Sequence, residues 1–159
     1  MITRRRYISK AEKFIDTDLV KVFTGIRRSG KTVILQQMAD ILRERGVGAE
    51  QILMINLESL RYRRMAEEGK LYDFIIHRSE EVGKRLYIML DEVQEIPQWQ
   101  ILVNSLRVDM DCDLYITGSN AALFSSELAT CLSGRYVRIE VYPFTLSEAK
   151  EMMKSLGKE

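Results

Sequence analysis

An eight-residue segment that contains two glycines five positions apart limits the folds open to this chain. It reads Gly25-Ile26-Arg27-Arg28-Ser29-Gly30-Lys31-Thr32 and is followed by Val33. The spacing G-x-x-x-x-G-K-[S/T] brings consecutive backbone N–H groups, an ammonium and a hydroxyl around the phosphates of a nucleotide. Such a loop works between a strand and a helix, because the helix N-terminus adds partial positive charge. These nine residues are therefore the candidate phosphate-binding residues.

The flanks of this loop supply the strand and the helix that it requires. Residues 19–24 are β-branched, aromatic and mostly apolar, which predicts a buried strand. Downstream, the apolar residues recur at helical spacing, at Ile34, Met38, Ile41 and Leu42, and Gly46 provides a helix stop. Both flanks favour a phosphate-binding loop over the competing interpretation, in which a Gly-Lys-Thr turn merely opens an ordinary helix.

The rest of the chain alternates apolar runs with helical patterns, which predicts a parallel sheet covered by helices on both faces. Strands are predicted at residues 19–24, 51–57, 86–90, 113–117 and 136–141. Helices are predicted at residues 71–83, from Pro97 onward, at 121–132 and from about Ser147, which could cap the last of them. Residues 58–70 form a polar, arginine-rich passage without a predicted element.

Composition sets broad limits on the class of protein. The chain has 159 residues, 46% of them hydrophobic, which suits one domain with one core. Its net charge of +1 argues neither for nor against nucleic acid, and the cluster Arg4-Arg5-Arg6 is interpreted as a solvated end, with a contact to a phosphate backbone as the alternative. Cys112 and Cys131 lack metal-ligand spacing, and two such cysteines indicate reduced thiols and not a disulfide framework. Because no apolar run approaches the roughly 18 residues of a membrane span, we expect no membrane partner and a cytoplasmic location.

An acidic pair completes the candidate site. The predicted strand 86–90 runs directly into Asp91 and Glu92, which places both at the carboxyl edge of the sheet, where ligands bind in open α/β folds. Asp91 is expected to hold Mg²⁺ together with the Thr32 hydroxyl, and Glu92 to polarise a water for attack on the γ-phosphate. A helix cap or a solvated turn is the alternative, but the glycine loop makes it the weaker one.

Two further residues are candidates with open alternatives. Asn120 follows the fourth predicted strand and can donate to a γ-phosphate oxygen or hold the attacking water; Ser119 could do part of this, and Asn120 could instead cap the next helix. Arg135 precedes the fifth predicted strand and could reach the nucleotide of a neighbouring subunit as an arginine finger. The alternatives for Arg135 are a solvent-facing side chain or an ion pair with Glu140.

Arg27 and Arg28 occupy loop positions where most nucleotide-binding loops carry smaller residues. Because the concave side of such a loop is lined by backbone, both side chains are predicted to point outward. There they meet solvent or a partner, and solvent is the simpler interpretation.

Four motifs in order resemble a family of archaeal and bacterial AAA-type ATPases. They read G-I-R-R-S-G-K-T, L-D-E-V-Q-E-I-P-Q-W, I-T-G-S-N, and L-S-G-R-Y followed by Y-P-F, and the resemblance spans roughly residues 6–153. It implies a Walker A loop at 25–32, a Walker B pair at Asp91 and Glu92, a sensor at Asn120 and an arginine finger at Arg135. It also implies an α/β P-loop fold of the additional-strand catalytic-glutamate type, with a five-stranded parallel sheet in the order 5-1-4-3-2.

The resemblance also bears on domain organisation. Members of this family are longer and continue into a C-terminal region, often of unknown or nuclease-like character. Residues 1–159 are therefore predicted to form the ATPase core of a longer protein whose C-terminal domain is missing here.

The predicted function is ATP binding and Mg²⁺-dependent hydrolysis that drives a conformational change in an attached or partner module. One alternative is a nucleotide-controlled binding switch with little turnover, and another is a nucleotide or small-molecule kinase. The Asp91-Glu92 pair favours water over a kinase substrate as the phosphate acceptor, and the lack of an Asn-Lys-x-Asp motif disfavours a GTPase. Assembly of a homo-oligomer through Arg135 is an expected interaction, whereas nucleic acid as a partner has no support in this segment.

Overall fold

A computed structural model of the chain describes residues 3–119, 126 and 129–155, without the side chains of residues 151, 152 and 155. The strands are β1 (Val20–Thr24), β2 (Ile52–Asn56), β3 (Leu86–Asp91), β4 (Cys112–Gly118) and β5 (Tyr136–Glu140). The helices are α1 (Arg5–Glu12), α2 (Lys31–Glu44), α3 (Leu60–Glu67), α4 (Lys70–Val82), α5 (Trp99–Asp109) and α6 (Leu146–Ser155).

All five strands are parallel and pair in the order β2-β3-β4-β1-β5. This is the predicted order 5-1-4-3-2 read from the other edge, so the α/β fold and its topology are confirmed. The additional strand β4 lies between β1, which leads into the glycine loop, and β3, which ends in Asp91. Because the strands are parallel, the segments that follow β1, β3 and β4 meet at one edge of the sheet.

The sheet separates two apolar clusters. One cluster packs α4 and α5 against one face, and the other packs α1 and α2 against the opposite face. All six residues of β3 are buried, which explains why its sequence is a continuous apolar run rather than an alternating one. Among the described helices, none is long and apolar enough to cross a membrane.

A buried ion pair aligns β1 with its neighbour β4. Lys21 Nζ donates to Asp113 Oδ1, and both side chains are fully buried. The other carboxylate oxygen of Asp113 accepts from the Tyr115 hydroxyl at 2.7 Å and from the Asp16 backbone N–H at 3.1 Å. Burial lowers the pKa of Lys21 against the opposing effect of Asp113. Since an unpaired charge here would be costly, the pair favours this alignment of the two strands.

The passage at residues 58–70 contains a helix that sequence analysis did not predict. Helix α3 has no buried residue, and only Tyr62, Met65 and Ala66 pack partly against the core. A helix with so little buried surface has only a weak apolar periodicity in its sequence. Because three of its eight residues are arginines and one is glutamate, the segment resembles a polar loop.

The boundaries of the later helices also differ from prediction. Helix α5 begins at Trp99 rather than at Pro97. Helix α6 begins at Leu146 and is capped by Thr145, not by Ser147: the Thr145 hydroxyl accepts from the Glu148 N–H, and the Glu148 carboxylate accepts from the Thr145 N–H. This reciprocal pair is a capping box. The helix predicted at 121–132 lies largely outside the described residues, of which 126 and 129–131 are helical.

The arginine cluster near the start of the chain is not a uniform solvated end. Arg5 and Arg6 begin helix α1 and are exposed, in agreement with the prediction. For Arg4 the prediction is wrong, because this residue is only 1% exposed. Its guanidinium is enclosed by hydrogen-bond acceptors and two aromatic rings, which replace the water that would otherwise solvate it.

Candidate nucleotide-binding site

The loop between β1 and α2 requires glycine at two positions, for two different reasons. A Cβ added at Gly25 would lie 2.2 Å from the Val141 carbonyl oxygen, which immobile backbone does not permit. Gly30 has φ +89°, in the left-handed region that favours glycine, and leads directly into Lys31 at the start of α2. The spacing of the sequence motif thus follows from a close backbone approach at one end and a left-handed turn at the other.

The amino end of α2 provides the anion-binding backbone. The Ile34 N–H donates to the Gly30 carbonyl oxygen and closes the first turn, so the N–H groups of Lys31, Thr32 and Val33 have no partner within the helix. These groups and the positive end of the helix dipole favour a phosphate at this position. Arg27 and Arg28 are exposed, but both line the hollow beside the loop, and Arg27 pairs with Glu58 instead of meeting solvent alone.

Lys31 connects the loop to the acidic pair after β3. Its side chain is almost fully buried, and Nζ donates to the carbonyl oxygens of Gly25 at 3.2 Å and Ile26 at 3.1 Å. The same ammonium lies 3.4 Å from the Ser119 hydroxyl oxygen and 3.5 Å from Glu92 Oε1. The cationic and the anionic side chains predicted for this site therefore face the same space.

Asp91 lies between two threonine hydroxyls. Thr32 Oγ1 donates to Asp91 Oδ2 at 2.7 Å, and Thr117 Oγ1 donates to Asp91 Oδ1 at 2.5 Å. Burial raises the pKa of Asp91 above its ordinary value, and the hydrogen bonds from Thr117 and Thr32 oppose this shift only in part. A buried carboxylate next to a hydroxyl oxygen is a suitable pair of ligands for Mg²⁺, which prefers hard oxygen donors.

Glu92 has a different environment from its neighbour. It adopts φ 59°, and its N–H donates to Thr117 Oγ1 at 2.9 Å. Its Oε2 accepts hydrogen bonds from Ser119 Oγ and Gln94 Nε2, both at 2.5 Å. Burial alone would raise the pKa of Glu92, but these two hydrogen bonds and the nearby Lys31 ammonium together lower it. The carboxylate is therefore ionised at neutral pH.

An open hollow of about 590 Å³ separates the loop from the ends of β2 and β3. It is lined by Arg27, Arg28, Thr32, Glu58 and Glu92. Arg27 spans one side of the mouth, where its guanidinium lies 3.3 Å from the Glu58 carboxylate, and both side chains are exposed. The hollow adjoins the helix N-terminus, the buried hydroxyl–carboxylate pair and the ionised Glu92, an arrangement that suits the phosphates of a nucleotide.

Arg135 lies far from this hollow, at the opposite edge of the sheet. Its carbonyl oxygen accepts from the N–H of Val20, the first residue of β1, whereas the loop follows the last residue of that strand. Its guanidinium lies 3.1 Å from Asp18 Oδ2 and is largely exposed. The local ion pair considered from the sequence therefore forms with Asp18 rather than with Glu140. Asn120, the other candidate with open alternatives, lies outside the described residues.

Comparison with known proteins places the chain in a family. A family model described as an AAA domain, AAA_14, matches residues 17–150, which is most of the chain. This chain belongs to the AAA domain family. The AAA domain is 43% identical over 148 residues to an uncharacterized protein of Haemophilus influenzae, and the match covers 93% of the chain and 37% of that protein.

An archaeal relative gives the same result. The AAA domain is 31% identical over 149 residues to the uncharacterized protein MJ1544 of Methanocaldococcus jannaschii, with 89% of the chain and 32% of that protein covered. The chain thus spans about a third of the length of these relatives.

Solved structures share the fold at low sequence identity. A DNA replication initiation factor matches with a TM-score of 0.66 and 16% identity, and the match covers all of this chain and 54% of the factor's chain. AMPPCP-bound DnaA from Aquifex aeolicus matches to the same extent with a TM-score of 0.65 and 16% identity. PCH-2 of C. elegans matches 94% of the chain and 43% of its own with a TM-score of 0.64 and 18% identity. At these identities the likeness concerns the fold.

Three residues that surround the acidic pair of the AAA domain had no role predicted from the sequence. Thr117 bonds both to Asp91 and to the Glu92 backbone, and its place at the end of β4 was the signal that could have identified it. Glu58 lines the hollow from the end of β2. Gln94 reaches Glu92 only because the chain forms a short turn after β3, which no sequence pattern indicated.

Proposed function

We propose that this AAA domain binds ATP with Mg²⁺ and hydrolyses it, and that the cycle drives a conformational change in an attached or partner module. One observation carries the proposal: two pairs, Lys31 with Glu92 and Thr32 with Asp91, meet at one edge of the sheet, at 3.5 Å and 2.7 Å. Each pair joins the glycine loop to the end of β3. The family assignment and the resemblance to AAA-type ATPases support the choice of ATP.

The proposed roles follow from the environment of each side chain. The N–H groups at the start of α2 and the Lys31 ammonium bind the β- and γ-phosphates. The Thr32 hydroxyl and the Asp91 carboxylate hold Mg²⁺, which neutralises charge on the phosphate oxygens when it is bound. Glu92, held ionised by Ser119, Gln94 and Lys31, orients a water and polarises it toward the γ-phosphorus.

The recipient of the conformational change is proposed to lie outside these 159 residues. The matched relatives are about three times as long as this chain, which covers 37% and 32% of them. The first test of the function is direct: isothermal titration calorimetry with Mg²⁺ and ATP, combined with a phosphate-release assay. Turnover without detectable dependence on Mg²⁺ would contradict the proposal, and so would a protein that binds no nucleotide.

Asp91→Asn is expected to weaken the effect of Mg²⁺ on nucleotide affinity and to reduce its pH dependence. The raised pKa of Asp91 means that the folded protein holds this proton more tightly than an exposed carboxyl does, so protons compete with the metal as the pH falls. The affinity for Mg²⁺-ATP of the wild type therefore declines as the pH falls through the raised pKa, by at most about tenfold per pH unit from this group.

Calorimetric titrations from pH 7.5 down to the lowest pH at which circular dichroism shows a folded protein measure this difference. The wild-type slope minus the Asp91→Asn slope isolates Asp91 from the titration of the nucleotide itself. Asp73→Asn, on the exposed side of α4, is the matched control and should keep the wild-type slope. Undiminished dependence of nucleotide affinity on Mg²⁺ in Asp91→Asn would remove Asp91 from the metal site.

Arg135 distinguishes an ATPase from a nucleotide-controlled binding switch. Because it lies at the edge of the sheet opposite its own hollow, it can act only on the nucleotide of a neighbouring subunit. Arg135→Ala is expected to lower the turnover of the assembled protein at least about tenfold with little change in nucleotide affinity. Phosphate release measured against protein concentration, with the mass of the assembly from light scattering, tests this.

Asp18→Asn provides the control, because it breaks the pair with Arg135 but keeps the guanidinium. It should retain most of the turnover if Arg135 acts in a neighbouring site. Equal losses in both variants would instead assign Arg135 a local structural role. A protein that stays monomeric, binds nucleotide and barely turns it over would favour the switch.

A further inference from the structure

Arg4 is a buried cation that contacts the phosphate loop, although it lies more than twenty residues before it. Its side chain is fully buried. Nη1 donates to the Ser29 carbonyl oxygen, and Nη2 donates to the Tyr142 carbonyl oxygen at 2.8 Å. On its other side, Nε lies 3.3 Å from Glu148 Oε1, on the first turn of α6.

Two aromatic rings and a helix complete the surroundings of Arg4. The guanidinium carbon lies 4.6 Å from the centroid of the Tyr7 ring and 4.8 Å from that of Phe144. The backbone N–H of Arg4 donates to Gln37 Oε1 on α2 at 3.1 Å. A cation buried in this way is tolerated because its donors are satisfied and the rings stabilise its charge. One residue thereby joins α1, the loop, α2 and the start of α6.

The hydrogen bond from Arg4 to the Ser29 carbonyl sets the direction of the next N–H group of the loop. The Ser29 carbonyl and the Gly30 N–H belong to the same planar peptide group and point in opposite directions. When Arg4 binds the carbonyl, the Gly30 N–H is therefore directed away from the guanidinium. Gly30 lies close to this side chain, since a Cβ added there would be 3.3 Å from Arg4 Nη1. Arg4 thus contacts the loop on the side opposite to the Gly30 N–H.

The bond to Glu148 links the same guanidinium to the cap of α6. Glu148 Oε2 accepts the Thr145 N–H at 2.8 Å in the capping box and also accepts from Arg4 Nη2 at 3.4 Å, while Oε1 accepts from Arg4 Nε. A shift of the Arg4 guanidinium would therefore disturb Glu148, the charged side chain that closes the first turn of α6. Arg4 thus connects the loop, through Ser29, to the first turn of α6, through Glu148.

We propose that Arg4 is a positioning residue for the phosphate loop, and that its pairing with Glu148 couples occupancy of the loop to the stability of the first turn of α6. This rests on the proposed nucleotide binding. A phosphate bound by the loop N–H groups fixes the Ser29–Gly30 peptide, which strengthens the bond from Arg4 and holds the guanidinium against Glu148. Because such coupling is reciprocal, breaking the pair at Glu148 must also weaken nucleotide binding.

The first experiment compares affinities in Arg4→Met, Glu148→Gln and the control Arg5→Met. Arg5 is the next residue in the chain and is exposed, so its variant should bind as the wild type does. Calorimetry with Mg²⁺-ADP should give a dissociation constant about tenfold or more above wild type for Arg4→Met, and about threefold or more for Glu148→Gln. Sodium triphosphate, which lacks base and ribose, should lose affinity by the same factors, because the effect concerns the loop.

The second experiment measures amide hydrogen exchange in α6 with and without Mg²⁺-ADP. Nucleotide should slow exchange in the first turn of α6 in wild type and in Arg5→Met, but not in Arg4→Met or Glu148→Gln. Should Arg4→Met fail to fold, Glu148→Gln alone decides the coupling, because the Glu148 side chain is 22% exposed, whereas that of Arg4 is fully buried.

The outcomes separate this inference from the function on which it rests. A wild-type protein that binds nucleotide, with variants of equal affinity and an equally responsive α6, overturns the coupling and leaves the proposed function intact. A wild-type protein that binds neither nucleotide nor triphosphate overturns both.

Discussion

Lys31→Ala is expected to raise the dissociation constant for Mg²⁺-ATP by about 10³-fold. A hydrogen bond to a charged group contributes about 1.5–3 kcal/mol, and an ammonium that bridges two phosphate groups makes at least two of them. A loss of about 4 kcal/mol corresponds to about 10³-fold in affinity. Lys31 is almost fully buried, so no other solvation compensates for its removal.

Calorimetry with ATP and Mg²⁺ checks this prediction, and circular dichroism shows whether the variant is folded. Lys70→Ala is the matched control, because Lys70 is also the first residue of a helix after a left-handed glycine, but its side chain is exposed and pairs with Glu68. The control should bind ATP as the wild type does. A folded Lys31→Ala protein with undiminished affinity would mean that the loop does not bind phosphate through this ammonium.

The parts of the fold that the sequence predicted are those with a strong periodic signal. All residues of β1 and β3 are buried, and the continuous apolar run 86–90 of β3 is difficult to interpret as anything but a buried strand. The order of the strands has no such signal, because pairing in a parallel sheet joins segments far apart in the chain. It was predicted from the resemblance to a known family, and the register of β4 between β1 and β3 confirms it.

The residues that sequence analysis missed are those whose role depends on distant neighbours. Arg4 belongs to a run of three arginines, and arginine is mostly exposed in proteins, so nothing local distinguishes it from Arg5. Its burial results from Tyr7 on one side and from Phe144, some 140 positions away, on the other. Helix α3 was missed for the opposite reason: none of its residues is buried, so its pattern resembles that of a loop.

Glu92→Gln is expected to retain nucleotide affinity within about threefold and to lower the rate of ATP hydrolysis by about 10²–10⁴-fold. Glutamine has the size of glutamate, so the space beside Ser119 and Lys31 stays filled. Its oxygen can still accept from the Ser119 hydroxyl, which keeps the end of β4 in place. What the variant loses is the negative charge that draws a proton from water as the oxygen attacks phosphorus.

The pH profile of the wild type gives a second test of the same role. The lowered pKa of Glu92 keeps its carboxylate ionised from neutral pH down to below the ordinary value for glutamate, and the base is lost only as the pH falls through that lowered pKa. Turnover at saturating Mg²⁺-ATP should therefore show no decline between pH 8 and 6 that arises from protonation of Glu92. A phosphate-release assay across this range measures it.

The binding and turnover results together decide what Glu92 does. Glu67→Gln, at the exposed end of α3, controls for the loss of one surface charge and should turn over as the wild type does. Normal turnover in Glu92→Gln would contradict the proposed activation of water by Glu92. If nucleotide affinity falls instead, Glu92 acts mainly as the counter-charge that holds Lys31 at 3.5 Å in the loop. Only a variant that binds ATP and fails to release phosphate matches a carboxylate that acts on the attacking water.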